Sequence, residues 1–92
     1  MNSPAPIPYE HIVFTDFEGG EGVLVDLNTK RYYQLNETAA LVWRCLEKGK
    51  ATDEIVDEMV SVYEVTTEHA AASIDKILRD FQSQKLVRPS RA

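Results

Sequence analysis

The sequence predicts an α+β domain in which a three-stranded antiparallel sheet is followed by a three-helix bundle. Three observations carry this. Apolar residues fall first in short runs, Ile12–Phe14, Val23–Leu27 and Arg31–Leu35, set apart by connectors rich in Gly or Asn. From Asn36 onward they recur instead at spacings of three and four. The change of period happens at one junction, Tyr32-Tyr33-Gln34-Leu35-Asn36, which joins the last predicted strand to the first predicted helix without a linker.

The elements follow in order. Residues 1–8 carry prolines at positions 4, 6 and 8, which predicts an extended, flexible arm, with the ordered domain running over residues 9–88 and a polar tail over 89–92. Ile12–Phe14 is a short β-prone run ended by Glu18-Gly-Gly-Glu-Gly22. That glycine-rich loop is no phosphate cradle, because no Lys-Ser/Thr follows and the next segment is another strand. Val23–Leu27 and Arg31–Leu35 are separated by Asn28-Thr29-Lys30, a connector of hairpin length and composition. A sheet of so few strands needs helices packed on one face to be stable.

Asn36 is placed to cap the first helix, whose stripe is Ala39, Val42, Trp43 and Leu46, and Gly49 ends it. Thr52 is placed to cap the second, with Asp53 and Glu54 in its first turn and Ile55, Met59, Val60 and Tyr63 on its buried face. Thr66 or Thr67 starts the third, with Ile74, Ile77, Leu78 and Phe81 as its stripe, and Leu86-Val87 closes the domain. Trp43 is the largest member of the predicted core.

Ninety-two residues suffice for one modest core and no second domain. No run approaches the ~20 apolar residues of a membrane span, and Met1–Ile7 lacks both the basic start and the apolar stretch of a signal peptide, so a cytoplasmic protein is expected. The net charge of -5 is unevenly spread. Asp53, Glu54, Asp57 and Glu58 form an acidic face on the second helix, whereas Lys76, Arg79, Lys85, Arg88 and Arg91 make the C-terminal quarter basic, with Asp80 opposing them.

No catalytic constellation stands out in the sequence. Cys45 is the single cysteine, set beside Trp43 and Leu46 as a packed residue, and allows neither an internal disulfide nor a cysteine-based zinc site. His11 and His69 have no acid at a spacing that suggests a dyad. The four acids of the second helix stand in a row facing water, unlike the loop that wraps a hard cation. Ala70-Ala71-Ala72 reads as good helix former rather than as a close-approach surface. The expectation is therefore no enzyme, no metal and no cofactor.

The stretch from Gly22 to Trp43 resembles the PqqD-like family: a hairpin ending in an aromatic pair, then Leu35-Asn36, a small residue soon after, and a Trp in the first helix. Lys50-Ala-Thr-Asp-Glu-Ile-Val56, Tyr63-Glu-Val65 and the segment from Ile77 to Val87 agree with later pieces of the family pattern, so the resemblance covers about Ile12 to Val87. It departs at Lys85, where many members carry Gly before the closing Leu, which puts the end of the third helix in question. The resemblance implies a non-catalytic recognition element that binds the leader of a ribosomally synthesised precursor peptide and presents it to a modifying enzyme, a radical SAM protein or a leader peptidase. The form Arg31-Tyr-Tyr-Gln-Leu-Asn36 in a free-standing chain looks most like the small proteins of lasso-peptide biosynthesis.

The residues fit that expectation. An extended peptide adds to a sheet edge, taking affinity from main-chain hydrogen bonds and specificity from side-chain pockets. The resemblance implies that the third strand and third helix wall the groove, which here means Arg31, Tyr32, Tyr33, Gln34 and Leu35 facing Lys76, Ile77, Asp80, Phe81 and Gln84. Side chains alternate across a strand, so one tyrosine belongs to the core and the other to the groove. The rival reading is a winged helix-turn-helix that binds DNA through Lys76 and Arg79, with Arg88 and Arg91 on phosphates. A pI of 4.9 and an acid-flanked second helix stand against nucleic acid as a partner.

Overall fold

The structure, a computed structural model, describes residues 5–89. Strands β2 (Ile12–Asp16), β3 (Gly22–Asp26) and β4 (Arg31–Leu35) form an antiparallel sheet in that order, and helices α1 (Glu37–Glu47), α2 (Thr52–Tyr63) and α3 (Thr67–Ser83) follow. The predicted fold class is the observed one, in the winged-helix-like order of strands and helices.

One boundary differs from expectation. β1 (Ile7–Pro8) pairs antiparallel with β5 (Val87–Arg88), so ordered structure begins before Tyr9 and the two ends of the domain are tied together. Proline tolerates such a place because a two-residue edge strand needs few N–H donors. The arm expected over residues 1–8 thus reaches at most to Pro6, and its first four residues, like 90–92 of the tail, lie outside the described residues.

In the main sheet Phe14, Leu24 and Tyr33 stand in one cross-strand row, and Val13, Val25 and Tyr32 in the next. The first row faces the helices, where Leu24 is fully buried; Ile12 and Leu35 lie on the same side. At the β3–β4 turn the Asp26 carboxylate accepts from the N–H groups of Asn28 and Thr29 at 2.9 and 3.1 Å, which closes the turn while Lys30 takes a φ of 64°. Gly22 is required by its neighbour, since a Cβ there would overlap the Phe14 ring and approach the Thr15 carbonyl oxygen to 2.9 Å.

α1 lies between the sheet and the other helices, and it buries Ala40, Leu41 and Cys45 in addition to the predicted Val42, Trp43 and Leu46. Its Asn36 cap accepts from the Ala39 N–H at 2.9 Å, as expected. The α2 cap is a correction: Ala51, not Thr52, precedes the helix and offers no side-chain acceptor, and Glu54 makes only the reciprocal bond, its carboxylate accepting from the Ala51 N–H at 2.8 Å. In α3, Thr66 caps through the His69 N–H, and the buried face is Ala70, Ile74 and Phe81, with Ile77 and Leu78 only half-buried.

Two helix ends share one geometry. After α1, Gly49 has φ 76°, its N–H donates to Leu46 C=O at 3.0 Å, and the Lys50 N–H donates to Cys45 C=O at 3.1 Å. After α3, Lys85 has φ 60°, its N–H donates to Gln82 C=O at 3.1 Å, and the Leu86 N–H donates to Phe81 C=O at 2.9 Å. Both are Schellman ends, so α3 stops as a glycine would stop it although the residue is lysine. Burial of Leu86 against the core supplies the apolar contact that holds the lysine in this conformation.

Candidate functional site

β4 is bonded to β3 on one side, and its other edge has no strand partner among the described residues. A cleft of about 390 Å³ opens beside the end of that edge. Gln34, Leu35, Asn36, Thr38 and Ala39 form one wall, where the strand turns into α1. Ser73, Lys76, Ile77, Asp80, Phe81 and Gln84 form the other, along one flank of α3. From Ser73 to Gln84 a helix advances roughly 16 Å, the length of about five residues of extended chain, which matches β4.

The cleft has an apolar floor and polar rims. Leu35 and Phe81 are buried and Ile77 is half-buried, while Gln34, Lys76, Asp80 and Gln84 are exposed. Phe81 is fixed from behind by Trp43, whose ring it meets edge to face at 5.4 Å between centroids. Lys76 and Asp80 stand four residues apart, yet neither is in an ion pair among the described residues, so both charges stay available to a ligand. Arg79, by contrast, is held by Asp75 at 3.1 Å, an acid that the sequence reading of a basic C-terminal quarter passed over.

Seven of the expected groove residues line this cleft: Gln34, Leu35, Lys76, Ile77, Asp80, Phe81 and Gln84. Three do not. Tyr33 packs against the core, and Tyr32, at 76% exposure, stands on the face of the sheet turned away from the helices, so neither tyrosine lines the cleft. Arg31 is exposed at the far end of β4, opposite Asp26. Asn36, Thr38, Ala39 and Ser73 are additional lining residues. Ser73 was legible, because 73, 77, 80 and 84 continue one stripe at helical spacing.

The arrangement offers docking surface rather than reactive groups. Cys45 is buried, and desolvation followed by the nearby Glu58 charge pushes its thiol above the ordinary range, away from a reactive thiolate. Glu58 is drawn to Lys50 instead, which holds its carboxyl below the usual range and the lysine above it. Of the four acids of α2, Glu54 accepts from the Ala51 N–H and Glu58 pairs with Lys50, while Asp53 and Asp57 are exposed on the helix surface. Among the described residues no group of His, Cys, Asp and Glu converges as a metal site would require. A larger hollow of about 810 Å³ lies between residues 5–10 and the α1–α2 connection, but its wall includes two prolines and a strand already paired, so it presents few free backbone donors.

An open strand edge beside a helix flank, on a small α+β body, defines a domain suited to holding an extended chain. The chain belongs to the family described as Coenzyme PQQ synthesis protein D (PqqD), whose profile matches residues 21–87. No curated protein matches it. Among solved structures it is similar to "TbiB1 in Complex with the TbiA(beta) Leader Peptide", with TM-score 0.84 and 26% identity over 94% of this chain and 99% of that one. It is likewise similar to "Lasso peptide synthetase B1 complexed with the leader peptide", with TM-score 0.79 and 26% identity over 89% of this chain and 95% of the other. No helix among the described residues is long and apolar enough to cross a membrane.

Proposed function

We propose that this chain is a non-catalytic recognition element of lasso-peptide type. It binds the leader of a ribosomally synthesised precursor by adding it as a strand to the free edge of β4, and presents it to a modifying enzyme or leader peptidase in the cytoplasm. The observation that carries this reading is the unpaired β4 edge opening onto the cleft along α3. Main-chain groups of the edge supply affinity, the Leu35–Ile77–Phe81 floor takes an apolar side chain, and Lys76 and Asp80 meet charges on the leader. Similarity to two proteins solved with a leader peptide supports the ligand class. DNA binding is disfavoured by the net charge of -5 and by the pairing of Arg79 with Asp75.

Titration of the full chain into a fluorescently labelled leader, taken from the precursor encoded beside it, tests the reading. Saturable binding is expected, with Ile77→Asp weakening it at least about tenfold while circular dichroism stays native. Absence of binding sinks the reading. Unchanged affinity in folded Ile77→Asp and Asp80→Lys proteins moves the site elsewhere.

A further inference from the structure

Two pairs of opposite charges stand four residues apart on α3, and only one of them closes. Asp75 and Arg79 meet at 3.1 Å, whereas Lys76 and Asp80 form no ion pair among the described residues. Their order accounts for the difference. An acid four residues ahead of a base is the favourable arrangement on a helix, and a base ahead of an acid is the poorer one. Asp75 and Arg79 have the first order, Lys76 and Asp80 the second. The closed pair lies outside the cleft beside β4, while the open pair is on its wall, each member one residue before the apolar Ile77 and Phe81 of the floor.

We infer that Lys76 and Asp80 read a pair of opposite charges two residues apart in the bound peptide, a carboxylate opposite Lys76 and a cation opposite Asp80. The inference rests on strand addition at β4 and deepens that reading by naming the charge pattern of the peptide. The cleft follows α3 from Ser73 to Gln84, so a chain lying in it runs beside the helix. Four helical residues rise about 6 Å. Two residues of extended chain advance about 6.6 Å, and side chains two apart leave a strand on the same face. Lys76 and Asp80 therefore match peptide positions k and k+2, both turned toward the cleft. They match neither sequence neighbours nor residues three apart, which turn to opposite faces. A stretch of about five residues turns three side chains inward, enough for both charges and one apolar anchor.

A lysine and an aspartate this close do not attract charged peptides in general. A peptide of one sign gains at one of them and loses at the other. Only a chain that carries both signs in register gains at both, and like charges set opposite each other count against the wrong peptide. At an exposed rim each contact is small, so the pair selects among peptides while the apolar floor supplies most of the affinity.

The test uses the full chain and a fluorescently labelled leader from the precursor encoded beside it. That leader should carry an acidic and a basic residue two apart, and a leader that binds without such a pair overturns the inference. Lys76→Glu and Asp80→Lys, both at exposed positions, should keep the fold by circular dichroism and each weaken binding about fivefold. A leader with its acid changed to Lys should restore the Lys76→Glu protein to within about twofold of wild type and leave the Asp80→Lys protein weak. A leader with its base changed to Glu should do the reverse. Gln82→Lys, exposed on α3 outside the cleft, should bind as wild type. Moving the base from two to three residues from the acid turns it to the other face and should cost about the same fivefold. Unchanged affinity in both reversed proteins, restoration of both by one leader variant, or indifference to the three-residue spacing overturns the inference and leaves strand addition in place. Failure of wild-type chain to bind leader at all is a separate result, which removes the underlying reading and this inference with it.

Discussion

Phe81 meets Trp43 edge to face at 5.4 Å between ring centroids, and the same Phe81 forms part of the floor of the cleft beside β4. Core and cleft therefore share one ring. Trp43→Ala should cost about 3–5 kcal/mol in chemical denaturation, a large part of what holds a domain of this size. Phe81→Leu, which keeps apolar volume but loses the edge-to-face contact, should lower stability by roughly 1 kcal/mol and also weaken leader binding. Loss of stability with full leader affinity would separate the two roles.

Lys85 holds a left-handed backbone at the end of α3, where Gly49 does the same after α1. A side chain costs roughly 1–2 kcal/mol in that conformation, partly offset by the greater freedom that glycine has in the unfolded chain. Lys85→Gly should therefore raise stability by about 0.5–1 kcal/mol, visible as a higher denaturant midpoint. Gly49→Lys should lower it by a similar amount. A gain on Lys85→Gly with a loss on Gly49→Lys would establish that conformation sets the effect, because charge at a helix C-terminus favours lysine and predicts the reverse of both signs.

Gly22 lies beneath the Phe14 ring, and any Cβ there also meets the Thr15 carbonyl oxygen, which the backbone cannot move aside. Gly22→Ala is expected to destabilise by about 1–3 kcal/mol. Shortening the ring in a Gly22→Ala/Phe14→Leu double variant should return only part of this, because the backbone contact remains. Full recovery would mean that the ring alone set the cost.

The Asp26 carboxyl is held below the usual range, first by the Thr29 N–H and then by the Asn28 N–H and the positive charge of His11, against the opposing effect of burial. A depressed folded-state value means that its stabilisation is fully present above the unfolded value of about 3.9 and disappears as pH falls through the folded one. The denaturant midpoint of wild type should thus exceed that of Asp26→Ala near pH 5, and the margin should narrow as pH falls below about 4. A margin unchanged down to about pH 2 would show that the carboxylate form is not what closes the turn.

Leader binding should depend weakly on salt, because the floor of the cleft is apolar and Lys76 and Asp80 are single opposite charges at its rim. Between about 50 and 200 mM salt the affinity should fall far less than the ~10³-fold typical of a protein making many phosphate contacts. Duplex DNA should not compete for the labelled leader. A steep salt slope together with DNA competition would restore the nucleic-acid reading.

Period and punctuation in the sequence located three strands and three helices because each carries its signal within a few residues. Asn36, Gly49 and Thr66 act where they were expected. The β1–β5 pair was hidden, since two residues have no periodicity and their partner lies some eighty residues away. Burial around α1 was underread because an amphipathic stripe describes a helix with one neighbour, and α1 touches the sheet on one side and two helices on the other. The α3 wall of the cleft was legible as a stripe. The assignment of the tyrosines was not: alternation separates the two faces of a strand, but with Val23 and Val25 on the outer face neither face announced itself as polar. The outcome, Tyr33 inward and Tyr32 on the outer face, needed the register with β3.

Asn36 is the one residue between the end of β4 and the start of α1, and its side chain is already committed to the Ala39 N–H and the Thr38 hydroxyl. Strand and helix consequently meet across a single residue, with no slack between them. A peptide laid along one is indexed against the other. On the proposed reading, an enzyme that acts at the far end of that peptide would start counting from the same mark in every molecule, and the distance from mark to reaction would be written in the peptide alone.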